Sequence, residues 1–483
     1  MQRYIVPIDW KMVGTQLLGV LRLLGAVLAL PALVSLPFRE FSYTWVFGAL
    51  ALGLCLLGHL GAWLGRGPSR ELELKEALVV TALSYLLFAL FGALPFLREI
   101  PFIDGLFEAL SGFTTTGLSV VEVAELPRTL LFFRSYSQWI GGAGIIVLSL
   151  AILLRPGGTA FKLYAAEFGQ ENLMGSVIAT ARIMLRIYLI LTAVNLFAYL
   201  ALGMDPFDAA LYALSTISTG GFSPHPESLG HYRSPAVHLV AILFMWVGAT
   251  SFPLWYYLAH RREGRRLLSD RQLRYLLLLS VLAGVIFLIS SGPTVGARGI
   301  LPGLFQATTA LTTTGFNIAD PAGLSPGAKL LAILLMVIGG ATGSSAGGIK
   351  LFRMIVSLGL LRWLLLRPLL PEEAKIPIKY GASGIGEGEL RAISGFILLY
   401  LGLLALSAFI LMFCGYGFVE ALFEAASAQG TVGLSVGVTS PGMPIPAKLV
   451  LMLGMWLGRL EILPVLLALY PGIWFKPRRQ GQA

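Results

Sequence analysis

Charged side chains are scarce in this chain. Of its 483 residues 12% are charged and 56% hydrophobic, whereas a soluble chain carries about a quarter charged residues. Cysteine is rarer still. Cys55 and Cys414 both fall inside apolar runs, so no disulfide framework can be read. There is no Lys-Ser/Thr phosphate-binding loop, no His/Cys metal cluster and no nucleophile set beside a base. The chain is therefore not expected to be an enzyme, and no cofactor is expected in it. A net charge of +10 would suit nucleic acid if the basic residues made a patch. They lie instead in short loops between apolar runs, which points to membrane topology and away from nucleic acid.

What the chain has in quantity is long apolar runs. A hydrocarbon core of about 30 Å takes about 20 apolar residues per helix. Ten runs reach that length: 12–36, 43–65, 77–97, 129–154, 178–203, 235–259, 273–291, 327–366, 391–414 and 446–470. The eighth is too long for one helix and is interrupted at 339–348. The first is too long for a signal-peptide core and has no small-residue cleavage site after it, so it is read as a retained helix. Four shorter, semi-polar stretches lie between runs: 104–119, 206–223, 302–317 and 420–435. If each dips in and returns, ten spans leave both termini on one side. Of the 35 Lys and Arg residues, 25 fall in the loops of the terminal side and 8 in the others. The positive-inside bias makes the terminal side cytoplasmic and sends all four short stretches outward.

These four stretches are copies of one another. They align on Gly117, Gly221, Gly315 and Gly433. Two residues earlier all four have threonine: Thr115, Thr219, Thr313 and Thr431. Six earlier stand Ser111, Ser215, Thr309 and Ser427, and eight earlier Ala109, Ala213, Ala307 and Ala425. One later comes a large apolar residue: Leu118, Phe222, Phe316 or Leu434. Thirteen earlier, Asp104, Asp208, Pro302 and Glu420 suit a helix start. The unit is helix, short pore helix, extended loop, helix, repeated with spacings of 104, 94 and 118 residues. The expected fold is an all-α polytopic membrane protein, with four tandem helix–pore loop–helix repeats around one pore. The first two runs precede the repeats as an N-terminal helix pair. The implied divisions are 1–70 for that pair, then 71–165, 166–265, 266–385 and 386–483 for the repeats.

Non-helical backbone at membrane depth is tolerated only when buried in protein or lining a watery cavity. Four such loops in one chain can converge on an axis and replace the water shell of a dehydrated monovalent cation with backbone carbonyls. The candidate ligands are Thr114, Thr115, Thr116 and Gly117; Ser218, Thr219, Gly220 and Gly221; Thr312, Thr313, Thr314 and Gly315; and Gly430, Thr431, Val432 and Gly433. They offer carbonyls and hydroxyls without fixed charge, and the glycines allow positive φ. A single Thr-Gly loop would be read as helix packing between small residues. Four aligned copies in matched topology outweigh that reading.

Further residues call for explanation. Gly339, Gly340, Gly343, Gly347 and Gly348 fall within ten positions, with Thr342, Ser344 and Ser345 among them. Glycine costs about 1 kcal/mol per helical position, so the segment should unwind. It is either a weakly held mobile gate under the loops or a small-residue packing face. Arg459 lies mid-run, where a charge usually faces the interior. It either tunes the ion path or makes a structural ion pair, with Glu461 or with another acid. Lys350 either holds the glycine segment or anchors the cytoplasmic face. His260, Arg261, Arg262, Arg265 and Arg266 form an inner basic patch, suited to anchoring or to a cytosolic subunit. Gly384-Ile385-Gly386-Glu387-Gly388 looks faintly like a dinucleotide loop, but no strand–loop–helix unit surrounds it.

With these residues in view, the chain resembles the Trk/Ktr/HKT superfamily of potassium transporters, most closely its bacterial TrkH branch, which carries an extra helix pair before the first repeat. The resemblance spans nearly the whole chain. It rests on the four loops, on Ser137-Gln138-Trp139-Ile140-Gly141-Gly142-Ala143-Gly144-Ile145-Ile146, on Gly339 to Lys350, and on Gly458-Arg459-Leu460-Glu461. It implies potassium as the transported substrate and a cytoplasmic-membrane location. It also implies a gate formed by the glycine segment with Lys350 and Arg459. A homodimer is implied too, seated on a cytosolic TrkA-type ring that binds NAD or ATP. Sodium-preferring relatives carry serine at the first loop's glycine, so Gly117 favours potassium. Gly430-Thr431-Val432 departs from the Thr-Thr-Thr pattern.

Overall fold

The computed structural model describes residues 7–64, 72–153, 177–261, 264–290, 299–371, 377–380 and 383–474. These residues are helical apart from loops and one small hairpin, Lys379–Tyr380 against Ser383–Gly384. Seven of the ten apolar runs fold as single helices of 20 to 27 residues. All but Arg128–Leu153 carry exposed large apolar side chains, mostly leucine, along their outer faces, as lipid-facing helices do.

Two of these, Trp10–Val34 and Phe41–Leu64, are the N-terminal pair. They pack closely because Gly25 meets the backbone of Ala51 and Cys55, and Gly58 meets that of Leu18 and Arg22. The pair is fastened to the rest at both ends. Glu40 accepts bonds from the Arg128 and Thr129 amides at 3.0 and 2.9 Å. On the other side, Trp10 Nε1 donates to Trp474 O at 3.1 Å.

Four repeats follow. Their first helices are Leu74–Ala93, Val177–Ala201, Arg271–Ser290 and Glu387–Phe413. Their pore helices, Phe102–Phe113, Pro206–Ile217, Ile300–Leu311 and Phe418–Gln429, are 12 residues each. That length cannot cross a membrane. Asp104, Asp208, Pro302 and Glu420 stand in the first turn of these helices, where the first turn's amides favour an acid or a proline.

The second helices depart from expectation. A break is expected only in the eighth run, yet three are broken. In repeat 2, Pro235–Ala249 and Phe252–Ala259 meet at 99°, and in repeat 4, Ile445–Arg459 and Leu463–Leu469 meet at 118°. Each inner half has proline at its start, Pro253 and Pro464, which has no amide for the outer half and clashes with its carbonyls. In repeat 4 the turn also takes Glu461 and Ile462 through positive φ, 56° and 66°. In repeat 3, Pro326–Ile338 stops at Gly339 and the helix resumes at Leu351–Leu366. Only repeat 1 keeps one continuous helix, Arg128–Leu153. The divisions at 70/71 and 165/166 lie outside the described residues. That at 265/266 falls within the short helix Gly264–Ser269, and that at 385/386 just before Glu387.

Candidate functional site

Each pore helix runs into its Thr-Gly loop by the same backbone route. Thr116 N bonds Ser111 O, Gly220 N bonds Ser215 O, Thr314 N bonds Thr309 O, and Val432 N bonds Ser427 O, at 2.8 to 3.0 Å. The next feature is a left-handed threonine in all four copies: Thr115, Thr219, Thr313 and Thr431, with φ of 54°, 51°, 54° and 50°. Non-glycine residues held there cost about 1 kcal/mol or more each. The aligned glycines follow at φ 88°, 81°, 83° and 96°. The residue between them has negative φ. Alternation of this kind turns successive peptide groups to one side, where an ordinary strand would turn them to opposite sides.

The four loops close on one another. A side-chain carbon on Gly117 would collide with the carbonyl oxygen of Gly220, one on Gly221 with that of Thr314, one on Gly315 with that of Val432, and one on Gly433 with that of Thr116. Each glycine thus abuts the residue before the next repeat's glycine, and the fourth returns to the first. The sixteen residues named from the sequence form one ring, buried except at the half-buried Gly117, Gly221 and Gly433, with Gly430-Thr431-Val432-Gly433 in its place. Glycine is required at the four aligned positions by close approach as well as by φ.

The ring is braced by residues that the sequence analysis does not single out. Glu108 and Glu424 each stand nine residues before the aligned glycine and are buried. Glu108 accepts from Val120 N at 2.7 Å and from Arg134 Nε at 2.9 Å. Glu424 accepts from Val436 N and Val438 N at 3.0 and 3.2 Å. In repeat 2 the same position is Tyr212, whose hydroxyl lies 2.8 Å from Ser223 Oγ. A carboxylate inside an apolar pore helix was the available signal. At the starts of the pore helices, Lys448 of repeat 4 pairs with Asp104 of repeat 1, and Lys329 of repeat 3 with Glu420 of repeat 4 at 3.3 Å. Asp208 pairs instead within its own repeat, with His225 and with Tyr232. Burial, then the bond to Asp208, pushes the Tyr232 phenol above its ordinary range.

Beneath the ring lies the glycine segment. Gly347 N donates to Thr313 Oγ1 at 2.8 Å, Thr219 Oγ1 lies 3.3 Å from Ser345 Oγ, and Gly347 abuts Gly430 O and Thr431 Oγ1. Hydroxyls of the left-handed threonines in repeats 2, 3 and 4 thus meet this one segment. The segment is not weakly held. Ala341 N bonds Ala249 O at 2.9 Å, Thr342 N bonds Gln272 Oε1 at 2.8 Å, and Ser345 Oγ bonds Ile217 O and Gly248 O at 2.9 and 3.0 Å. Leu351 N reaches back to Gly340 O at 2.9 Å. The glycines unwind the helix, and neighbouring backbones, including the broken end of the repeat 2 helix, take up the freed groups.

Arg459 is 3% exposed and makes no pair with Glu461. It donates from one Nη to Ser345 O and from the other to Gly141 O, both at 2.8 Å. Its charge is thus met by carbonyls of repeats 3 and 1. Glu461 goes instead to Arg353 at 2.6 Å and to buried Lys350 at 3.6 Å. Lys350 is therefore tied to the repeat 4 bend and is not an exposed anchor. Thr115 Oγ1 and Thr431 Oγ1 are among the buried side-chain oxygens without a hydrogen-bond partner among the described residues, as are Ser215 Oγ and Thr309 Oγ1 on the pore helices.

The arrangement can surround a small cation with neutral oxygen, and known proteins resemble it closely. The model of the TrkH family, described as cation transport protein, matches residues 49–471. A Trk system potassium uptake protein TrkH from Halomonas elongata is 31% identical over 482 residues, covering 95% of this chain and 99% of that protein. An uncharacterized cation transporter from Methanocaldococcus jannaschii is 31% identical, with 95% of each chain covered. The crystal structure of the potassium transporter TrkH from Vibrio parahaemolyticus superposes with a TM-score of 0.85 at 28% identity, covering 97% of this chain and all of that one. Four repeats closed into one ring, an N-terminal helix pair before them and these likenesses along nearly the full length place the chain in the TrkH family of membrane cation transport proteins.

Proposed function

We propose that this chain carries potassium ions into the cell across the cytoplasmic membrane, through a selectivity filter formed by the ring of Thr-Gly loops. One observation carries the reading: four loops, each with threonine and glycine at positive φ, abut in a closed ring without a charged side chain among the sixteen residues. Neutral carbonyl rings replace the hydration of a monovalent cation. The ligands are Thr114 to Gly117, Ser218 to Gly221, Thr312 to Gly315 and Gly430 to Gly433. The pore helices direct their negative ends toward this place. The names of the Trk potassium uptake relatives support potassium as the ion.

The segment Gly339 to Lys350, with Arg459, is the gate. Its contacts with the threonines under the ring, and the charge of Arg459 bonded to Ser345, support that role. To conduct, the segment must exchange its bonds to repeats 2 and 4 for others. Both termini face the cytoplasm, a reading that the distribution of Lys and Arg supports, and the repeats divide at 71, 166, 266 and 386. The protein works as a homodimer on a cytosolic nucleotide-binding ring of the TrkA type, for which the inner basic loops supply a surface. Purified protein in liposomes tests the central reading. Flux of potassium and rubidium well above that of sodium is expected. Equal flux of all three, or none, would contradict it.

A further inference from the structure

The second loop differs from its copies at the residue before the aligned glycine. That residue is Thr116, Thr314 or Val432 in repeats 1, 3 and 4, but Gly220 in repeat 2. In repeats 1 and 3 that threonine has a defined task. Thr116 Oγ1 lies 2.8 Å from Thr114 Oγ1, and Thr314 Oγ1 lies 2.8 Å from Thr312 Oγ1, which fastens the loop to its own pore helix end. Gly220 cannot do this.

The missing side chain is replaced from another repeat. Gln138, on the second helix of repeat 1, is fully buried. Its Nε2 donates to Gly220 O at 2.6 Å, and its Oε1 accepts from Phe222 N at 3.1 Å. The two bonds fix which end of the amide faces which way. A side-chain carbon on Gly220 would collide with the Gln138 amide, at both Cδ and Oε1. The amide therefore occupies the volume of the absent side chain. It also spans the loop glycine, holding the carbonyl before Gly221 and the amide after it. Gly221 sits at φ 81°, so its two flanking peptides are the ones whose orientation must be fixed. The residues equivalent to Gln138, twenty-one after each aligned glycine, are Ile242, Met336 and Gly454. None can form this brace.

We propose that Gln138 and Gly220 are one coupled positioning unit, in which the amide of repeat 1 stands in for the side chain that the second loop lacks and thereby sets the ion preference of the ring. The unit joins repeats 1 and 2 at the carbonyl that abuts Gly117. It uses a neutral group, so it orients oxygen without adding charge beside the ion path. Gln138 is a positioning residue: it holds the loop peptides and does not itself touch the ion. The inference rests on the filter reading above, and the experiment separates the two.

The test is a mutant cycle in purified, reconstituted protein, with the potassium-to-sodium permeability ratio and thermal stability measured together. Gln138→Ala should lower the ratio about tenfold, the effect of two neutral hydrogen bonds lost from a peptide pair. Gly220→Thr should lower it similarly, by collision with the amide. The double variant should recover most of the wild-type ratio, because a threonine at 220 can then bond Ser218 as Thr116 bonds Thr114. A merely structural role would lower stability in each single variant without that recovery of the ratio. Should Gln138→Ala fail to assemble, Gln138→Leu fills the volume without the hydrogen bonds and should show the same drop. If the double variant is no better than the singles, or Gln138→Leu keeps the ratio while Gly117→Ser lowers it, the unit is overturned and the filter stands. If Gly117→Ser also leaves the ratio unchanged, the filter reading falls and this inference with it.

Discussion

Replacing Arg459 by alanine probes the proposed gate at its best-defined contact. The guanidinium makes two hydrogen bonds of 2.8 Å, to Ser345 O in the segment and to Gly141 O in repeat 1. Hydrogen bonds to a charged group contribute about 1.5–3 kcal/mol each. Removing the guanidinium also removes the cost of burying its charge, which offsets part of that loss. A net weakening of the segment's resting position by about 2 kcal/mol is reasonable for the one bond made to it. That corresponds to about a thirtyfold shift toward the displaced arrangement. If the segment limits flux, Arg459→Ala should therefore raise potassium flux in liposomes by about ten- to thirtyfold. The potassium-to-sodium ratio should hold, since no ring residue is touched. Arg459→Lys keeps the charge but cannot reach both carbonyls with one fork, so its flux should fall between. An assembled Arg459→Ala protein with wild-type flux would refute the reasoning.

Three other outcomes are expected. Deleting residues 341–346 removes the bonds to Ala249, Gln272 and Gly248 together; flux should rise and regulation by a cytosolic partner weaken, while unchanged flux in a folded deletion would move the gate elsewhere. Glu108→Ala leaves Arg134 buried with Ser119 as its remaining hydrogen-bond partner, so it should cost about 3 kcal/mol or more and lower the melting temperature, with Glu108→Gln much milder. A nucleotide-binding ring should co-purify from native membranes and protect the segments 260–274 and 350–391 from protease; repeated purification without one would count against the partner.

Much of the fold was legible because its information is local. The hydroxyl, threonine, glycine and apolar positions recur at fixed offsets within each pore loop, and the structure gives each copy the same backbone bonds. The bends in repeats 2 and 4 were also written locally, in Pro253 and Pro464, but were masked by apolar runs long enough to pass as single spans. Contacts between repeats were a different matter. Lys448 and Asp104 are 344 residues apart and Gln138 and Gly220 are 82 apart, so neither pair leaves a pattern along the chain. Arg459 shows the same limit. Its nearest acid in sequence is Glu461, but the turn at 461–462 bends the helix by 118°, with Glu461 going to Arg353 and Lys350 and Arg459 to two carbonyls. The glycine segment was readable as unwound from composition alone. That it is firmly bonded depends on backbone groups of other repeats, which composition cannot reveal.

The central claim is that the ring of four Thr-Gly loops selects the ion. The most direct measurement is the permeability ratio of potassium to sodium in liposomes for the intact chain and for Gly117→Ser. Gly117 holds φ 88° against the carbonyl of Gly220, so a serine there must displace one quarter of the ring. A ratio well above one in the intact chain, falling toward one in the variant with flux retained, is the predicted result. An unchanged ratio in an assembled Gly117→Ser protein would contradict the account.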